Sequence, residues 1–146
     1  MRALYILMSV VAITALGAEK KIRLQDAPAA VQAAVKEQVK GATLIGLTKE
    51  TENGQTLYEA ETKVDGKTRD ILLDGNGAVV AVEQEVALAS VPSAAKAAIE
   101  KKATGGKVTK VETITKGSTV TYEAAITKAG KKSEMVVAAD GTEVKE

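Results

Sequence analysis

The chain of 146 residues has no cysteine, no histidine, no tryptophan and no phenylalanine. Each absence closes a route. Without histidine there is no side chain that ordinarily titrates near neutral pH, and without cysteine there is neither a thiolate nucleophile nor the soft ligand of a zinc site. Disulfides are excluded as well, which is no bar to export but denies a small domain a common staple. Neither sign of charge dominates: 20 Lys and Arg stand against 19 Asp and Glu, net +1. That balance leaves no electrostatic footprint for nucleic acid or for an anionic membrane surface. What is present, 45% hydrophobic and 27% charged residues, belongs to a folded chain of one ordinary domain or two very small ones.

Residues 1–18 read as an address. Arg2 gives a positive start, "ALYILMSVVAITAL" an apolar run, and "ALGA" a small-residue end where a signal peptidase would cut. The alternative is an uncleaved membrane anchor, but Ala3 to Ala18 is shorter than the roughly 20 residues a bilayer needs, and it carries Ser9 and Thr14. No cysteine follows the run to accept a lipid. Cleavage would release a chain beginning near Ala18 or Glu19 into the periplasm or the medium, with no stable membrane insertion.

The stretch "APAAVQAAVKEQVKGA" from Ala27 returns as "VPSAAKAAIEKKATGG" from Val91, a shift of 64 positions (92 minus 28). The register holds without a gap: Tyr58-Glu59-Ala60 falls on Tyr122-Glu123-Ala124, Gly66-Lys67 on Gly130-Lys131, and Gly77 on Gly141. The expected organisation is therefore a leader at 1–18, a first copy at 24–86 and a second at 87–146.

Within a copy, Asp26 and Ser90 are expected to cap a helix whose first turn holds Pro28 or Pro92. Apolar residues then recur at helical spacing: Ala27, Val31, Val35 and Val39, and likewise Val91, Ala95, Ile99 and Ala103. Gly41 and Gly105 suit the left-handed residue that ends a helix. Afterwards the period drops to two, with strands expected near Thr43 to Thr51, Thr56 to Val64, Thr68 to Asp74 and Ala78 to Val86. Asn53-Gly54, Asp65-Gly66 and Gly75 to Gly77 separate them, as Lys116 to Ser118, Ala129-Gly130 and Asp140-Gly141 do in the second copy. Leu44 with Leu47, and Val108 with Val111, break strict alternation, so a bulge is expected at each place.

The helix openings at Pro28 and Pro92, the "YEA" strands at Tyr58 and Tyr122, and the Asp65-Gly66-Lys67 hairpin echoed by Ala129-Gly130-Lys131 carry a resemblance. In these the chain resembles the PepSY-like family of exported bacterial proteins, described as β-lactamase-inhibitor-like. The resemblance implies an α+β fold of two tandem units, each a helix followed by a four-stranded antiparallel meander. Their sheets would join side by side, with helices on the convex face and a concave surface left for a protein partner. Here the chain departs from that inhibitor, having no Trp, Phe or disulfide. A lone unit of about 60 residues hides only about 60% of its unfolded surface, so the two units are expected to support each other.

Alternation assigns faces. Tyr58, Ala60, Val64, Ile71, Leu73 and Val80 would point beneath the first helix, and Val120, Tyr122, Ala124, Ile126, Met135 and Val137 beneath the second. The opposite face would carry Leu57, Glu59, Glu61, Lys63, Leu72 and Val79, continued by Thr121, Glu123, Glu134 and Val136. Such a strip is either an ordinary solvated sheet face or a surface on which a protein or peptide docks. No catalytic constellation is readable: Glu59 and Glu123 sit in different copies, and no nucleophile elbow or phosphate-cradling glycine run occurs. "DGNGAVVAVEQE" from Asp74 echoes a calcium loop but places Val79 where that loop requires glycine. The expectation is a non-enzymatic, cofactor-free extracytoplasmic module binding a protein or peptide, with restraint of a hydrolase as one use of that binding. The alternative is an envelope-stress protein that binds a small ligand or metal ion through the acidic strip.

Overall fold

A computed structural model describes residues 19–52 and 54–145 of the chain. The leader read at residues 1–18 and Asn53 of the first turn lie outside the described residues. Strand β1 (Lys20–Ile22) leads through a short 3-10 turn into α1 (Ala29–Gln38), then come β2 (Thr43–Glu52), β3 (Gln55–Val64), β4 (Lys67–Asp74) and β5 (Val79–Glu85). A second 3-10 turn precedes α2 (Ser93–Lys102), followed by β6 (Lys107–Lys116), β7 (Thr119–Lys128) and β8 (Lys131–Ala138).

These strands form one antiparallel sheet in sequence order, β1 to β8. The expected α+β pair of helix-plus-four-strand units is thereby corrected: the described residues are mostly β, a single eight-stranded sheet with two ten-residue helices. Two features overturn the equal meanders. The segment before α1 adds a strand of its own, with Lys20, Lys21 and Ile22 opposite Lys49, Thr48 and Leu47. Past Asp140-Gly141 the chain makes only a bridge from Val137 to Glu143, so the second half supplies three strands. Between the halves β5 and β6 pair through Val82–Thr115 to Glu85–Glu112, so the sheet runs on from one half to the other.

Helix α1 inserts Val31 and Val35 among Leu47, Tyr58, Ala60, Ile71 and Leu73. Helix α2 inserts Ala95 and Ile99 among Val111, Ala124, Ile126, Met135 and Val137. Small helix faces bring the backbones close. The turn glycines Gly77 and Gly141, both at positive φ, meet the helix starts so tightly that a Cβ would lie 2.6 Å from the Ala30 carbonyl oxygen and 2.7 Å from that of Ala94.

Other expectations need correction. Asp26 and Ser90 cap nothing: each closes a 3-10 turn, the Asp26 carboxylate accepts from Arg23 at 2.8 and 2.9 Å, and the Ser90 hydroxyl donates to Ala87. Pro28 and Pro92 take the cap positions instead. Val80 and Val120 are 39% and 41% exposed rather than under the helices. Val80 is skipped by a register shift, because Leu72 pairs with Ala81 and Leu73 with Val79. Val120 lies at the β6–β7 hairpin end, opposite Thr115.

Candidate binding face

The face away from the helices is built by pairing register. Thr48, Glu59, Leu72 and Ala81 lie side by side on β2 to β5. Two residues along, Glu61, Asp70 and Glu83 stand opposite one another on β3, β4 and β5. Glu85, Glu112 and Glu123 repeat the arrangement on β5, β6 and β7. Because Glu83 and Glu85 are alternate residues of one strand, the two rows join into a stair of six carboxylates crossing five strands. Directly opposed like charges destabilise a sheet. The basic groups nearest the stair are Lys110, whose ammonium lies 2.5 Å from Glu112, and Lys63 at the β3–β4 end, opposite Thr68.

Four of these six carboxylates are buried, Glu61 and Glu85 are half-buried, and the neighbouring Glu59 is buried too. Glu59 is 1% exposed, Glu112 and Glu123 3%, Glu83 5% and Asp70 8%. Their arms lie along the sheet: the Thr68 hydroxyl on β4 reaches past β5 to Glu112 Oε1 on β6 at 3.3 Å, and also donates to Glu85 Oε2 at 3.2 Å. Beside them Leu57, Leu72 and Ala81 make a third apolar cluster, separate from the two helix cores. Both oxygens of Glu59 and Oε2 of Glu83 are buried without a hydrogen-bond partner. Burial is the main cause that pushes the Glu59 carboxyl up to about 9, and the charges of Glu50, Asp70, Glu83 and Glu61 add to it. Glu83 is raised to about 8 by burial and then by Glu112, Glu123 and Asp70, with Lys110 opposing. Asp70 rises only to about 6, since its burial is countered by the Thr62 N–H at 3.3 Å and by Lys110. Partial desolvation, and then Glu112, also raise Glu134, which is otherwise exposed on β8.

Of the residues singled out from sequence, Leu57, Glu59, Glu61, Lys63 and Leu72 share this face on β3 and β4, and Thr121, Glu123, Glu134 and Val136 share it on β7 and β8. Val79 is apart: it pairs with the core residue Leu73 across the register shift and is 43% exposed. Missed were Glu50, Asp70, Glu83, Glu85 and Glu112. The signal for them was the same alternation, which puts Asp70 with Leu72 and Glu83 with Glu85. Among the described residues no group of three or more acidic side chains is placed to hold a metal ion. No helix among them is long and apolar enough to cross a membrane. A separate cavity of about 600 Å³ at the β1 edge is lined by Lys20, Lys21, Arg23, Asp26, Lys49 and Tyr58, and there Arg23 is already engaged by Asp26.

Fold and face together define a single-sheet, mostly β protein with an acidic surface on its uncovered side. No family model matches the chain, and no curated protein matches it. Solved structures do. A protein assigned to the periplasm of Bacteroides eggerthii superposes with a TM-score of 0.68 at 18% identity, covering 82% of this chain and 86% of that one. A DUF2874 family protein from Bacteroides uniformis gives 0.66 at 22%, covering 82% and 87%. A BLIP-like protein from Bacteroides fragilis gives 0.60 at 20%, covering 81% and 83%. The fold is therefore similar to the BLIP-like and DUF2874 folds.

Proposed function

We infer that the chain is a non-enzymatic extracytoplasmic binding module that docks a protein or peptide on its uncovered sheet face. The observation that carries the reading is the stair of opposed, buried carboxylates, an arrangement that costs the sheet stability and that a partner would relieve. Fold likeness to a BLIP-like protein and to a protein assigned to the periplasm supports both the location and the use of a sheet face, by analogy. The PepSY-like relation, the cleaved leader at 1–18 and the duplicated organisation at 24–86 and 87–146 belong to the same reading. The duplication is supported by Gly77 and Gly141, 64 positions apart, which meet their helices in the same way. Restraint of a hydrolase is the activity such a module would exert.

The test immobilises the protein, passes envelope extract over it, and repeats the capture with Thr121→Lys/Glu134→Lys on the proposed face and with Lys96→Glu on α2. Thr121 is half-buried and Glu134 exposed, so neither substitution threatens the core. A partner held by the parent and the α2 variant but lost by the face variant is expected. Equal capture by all three removes the face.

A further inference from the structure

Within that reading, the geometry points to the chemistry of the partner: an extended peptide segment bearing Lys or Arg at alternate residues, laid along the carboxylate stair. This deepens the proposed function and rests on it. The stair crosses five strands, so at about 4.8 Å per strand it spans about 19 Å. An extended segment advances about 3.4 Å per residue and repeats its side-chain direction every second residue, about 6.8 Å. Some six or seven residues would therefore cover the stair and present three or four cations to six carboxylates, complementary in sign and equal in overall span though not in step.

A row of acids alone would not license a ligand. The second observation is Glu59, 1% exposed, with neither carboxylate oxygen hydrogen-bonded, flanked by Glu61 two residues on and by Leu72 across the strand pair. Glu83 adds a second unpartnered oxygen in the middle of the stair. Buried carboxylate oxygens without donors lack what an ammonium or guanidinium supplies, since Lys brings three N–H donors and Arg five. The fold itself meets little of that need: Lys110 is committed to Glu112, and Lys63 sits at the end of its strand.

Binding of this kind is linked to protons. The groups facing Glu59 are Glu50 from β2, Glu61 from its own strand, Asp70 from β4 and Glu83 from β5. Glu83 in turn faces Asp70, Glu112, Glu123 and the cation Lys110. Burial and these neighbours favour the protonated form, so an arriving cation must expel protons as it pairs. Affinity should accordingly rise with pH through neutrality and fall with salt.

The experiment titrates the full chain with a heptapeptide of alternating Lys and Thr, and with its Gln-for-Lys counterpart, by calorimetry at pH 7 in two buffers of different ionisation enthalpy. Expected are binding of the lysine peptide only, proton release on binding, and affinity lower by about tenfold or more in Glu61→Gln/Glu83→Gln. Those changes are isosteric and remove repulsion, so a melting curve at or above the parent's is the check that the fold persists. Three results would overturn the inference: no heat with the lysine peptide, equal binding of the two peptides, or an unchanged affinity in the double variant. If face-dependent capture from extract persists while the lysine peptide is inert, only the cationic character falls. Loss of both removes the docking face as well.

Discussion

Asp65 and Ala129 occupy the same place in two hairpins, with φ of +50° and +49°, each followed by a glycine at positive φ. Aspartate tolerates that region because its short polar side chain bonds locally, whereas alanine has no such compensation and its Cβ meets the following carbonyl. Ala129 thus carries a conformational cost of about 1 kcal/mol at an exposed position where nothing else depends on the side chain. Ala129→Asn is expected to raise the melting temperature by a few degrees, and Asp65→Ala to lower it by a similar amount. A thermal melt followed by circular dichroism measures both, and a destabilised Ala129→Asn variant would contradict the account. The turn itself was legible from Gly130. The strain was not, because it lies in the residue that departs from the Asp-Gly pattern.

Helix α1 is tied at its C-terminal end by the Arg69 guanidinium on β4, which donates to the Gln38 carbonyl at 3.1 Å and to its side-chain oxygen at 3.5 Å. A cation at that end also meets the negative pole of the helix. The residue 64 positions on is Ser133, so α2 has no counterpart and relies on Lys101 and Lys102 in its own last turn. Arg69→Met is expected to cost about 1 kcal/mol and to raise amide exchange at residues 35–39, while Ser133→Ala changes little. Exchange that rises instead across the β4–β5 pairing would place the role of Arg69 in the sheet. The bounds of β2 to β5 were readable because alternation and turn glycines are local, whereas β1 was missed and the fourth strand expected after Asp140-Gly141 is only a bridge. Both bulges were too: Leu44 and Leu47 need the same side at a spacing of three, and the register does shift between Leu44 and Gly46 and between Val108 and Lys110. The caps were misread because acceptor side chains found nearer partners, Asp26 in Arg23 above all. At the sheet edges, Lys20 and Lys21 on β1 and Lys131 and Lys132 on β8 place charge where another strand would otherwise add.

Continuity of the sheet through β5 and β6 is what assembles the acidic face, and it was the least legible feature. Its pairing sets Glu85 opposite Glu112, against the cross-strand preference for opposite charges, so no local pattern announces it. Alternation along β3 alone could show Glu59 and Glu61 on one side, but not that Asp70 and Glu83 complete their row. The consequence belongs to the folded molecule as a whole. Glu59 moves from an ordinary 4.5 to about 9 and Glu83 from 4.5 to about 8, both chiefly because burial penalises the charged form. Between those limits the folded chain holds protons that the unfolded chain has released, so stability falls as pH rises. Each such group adds a slope of up to about 1.4 kcal/mol per pH unit. Their stabilising contribution is complete below about pH 4.5 and is lost as pH climbs through about 8 and 9. Asp70, moved from 3.8 to about 6, acts in the same direction over a lower window. Urea midpoints are therefore expected to decline from pH 5 to pH 9, the reverse of a protein held by ionised carboxylates in salt bridges. Glu59→Gln removes one titration, so the variant should match the parent near pH 5, exceed it at pH 8 to 9, and show a shallower decline. Midpoints that climb over this range, or a Glu59→Gln variant with the parent's slope, would mean that the Glu59 carboxyl ionises within the fold without penalty.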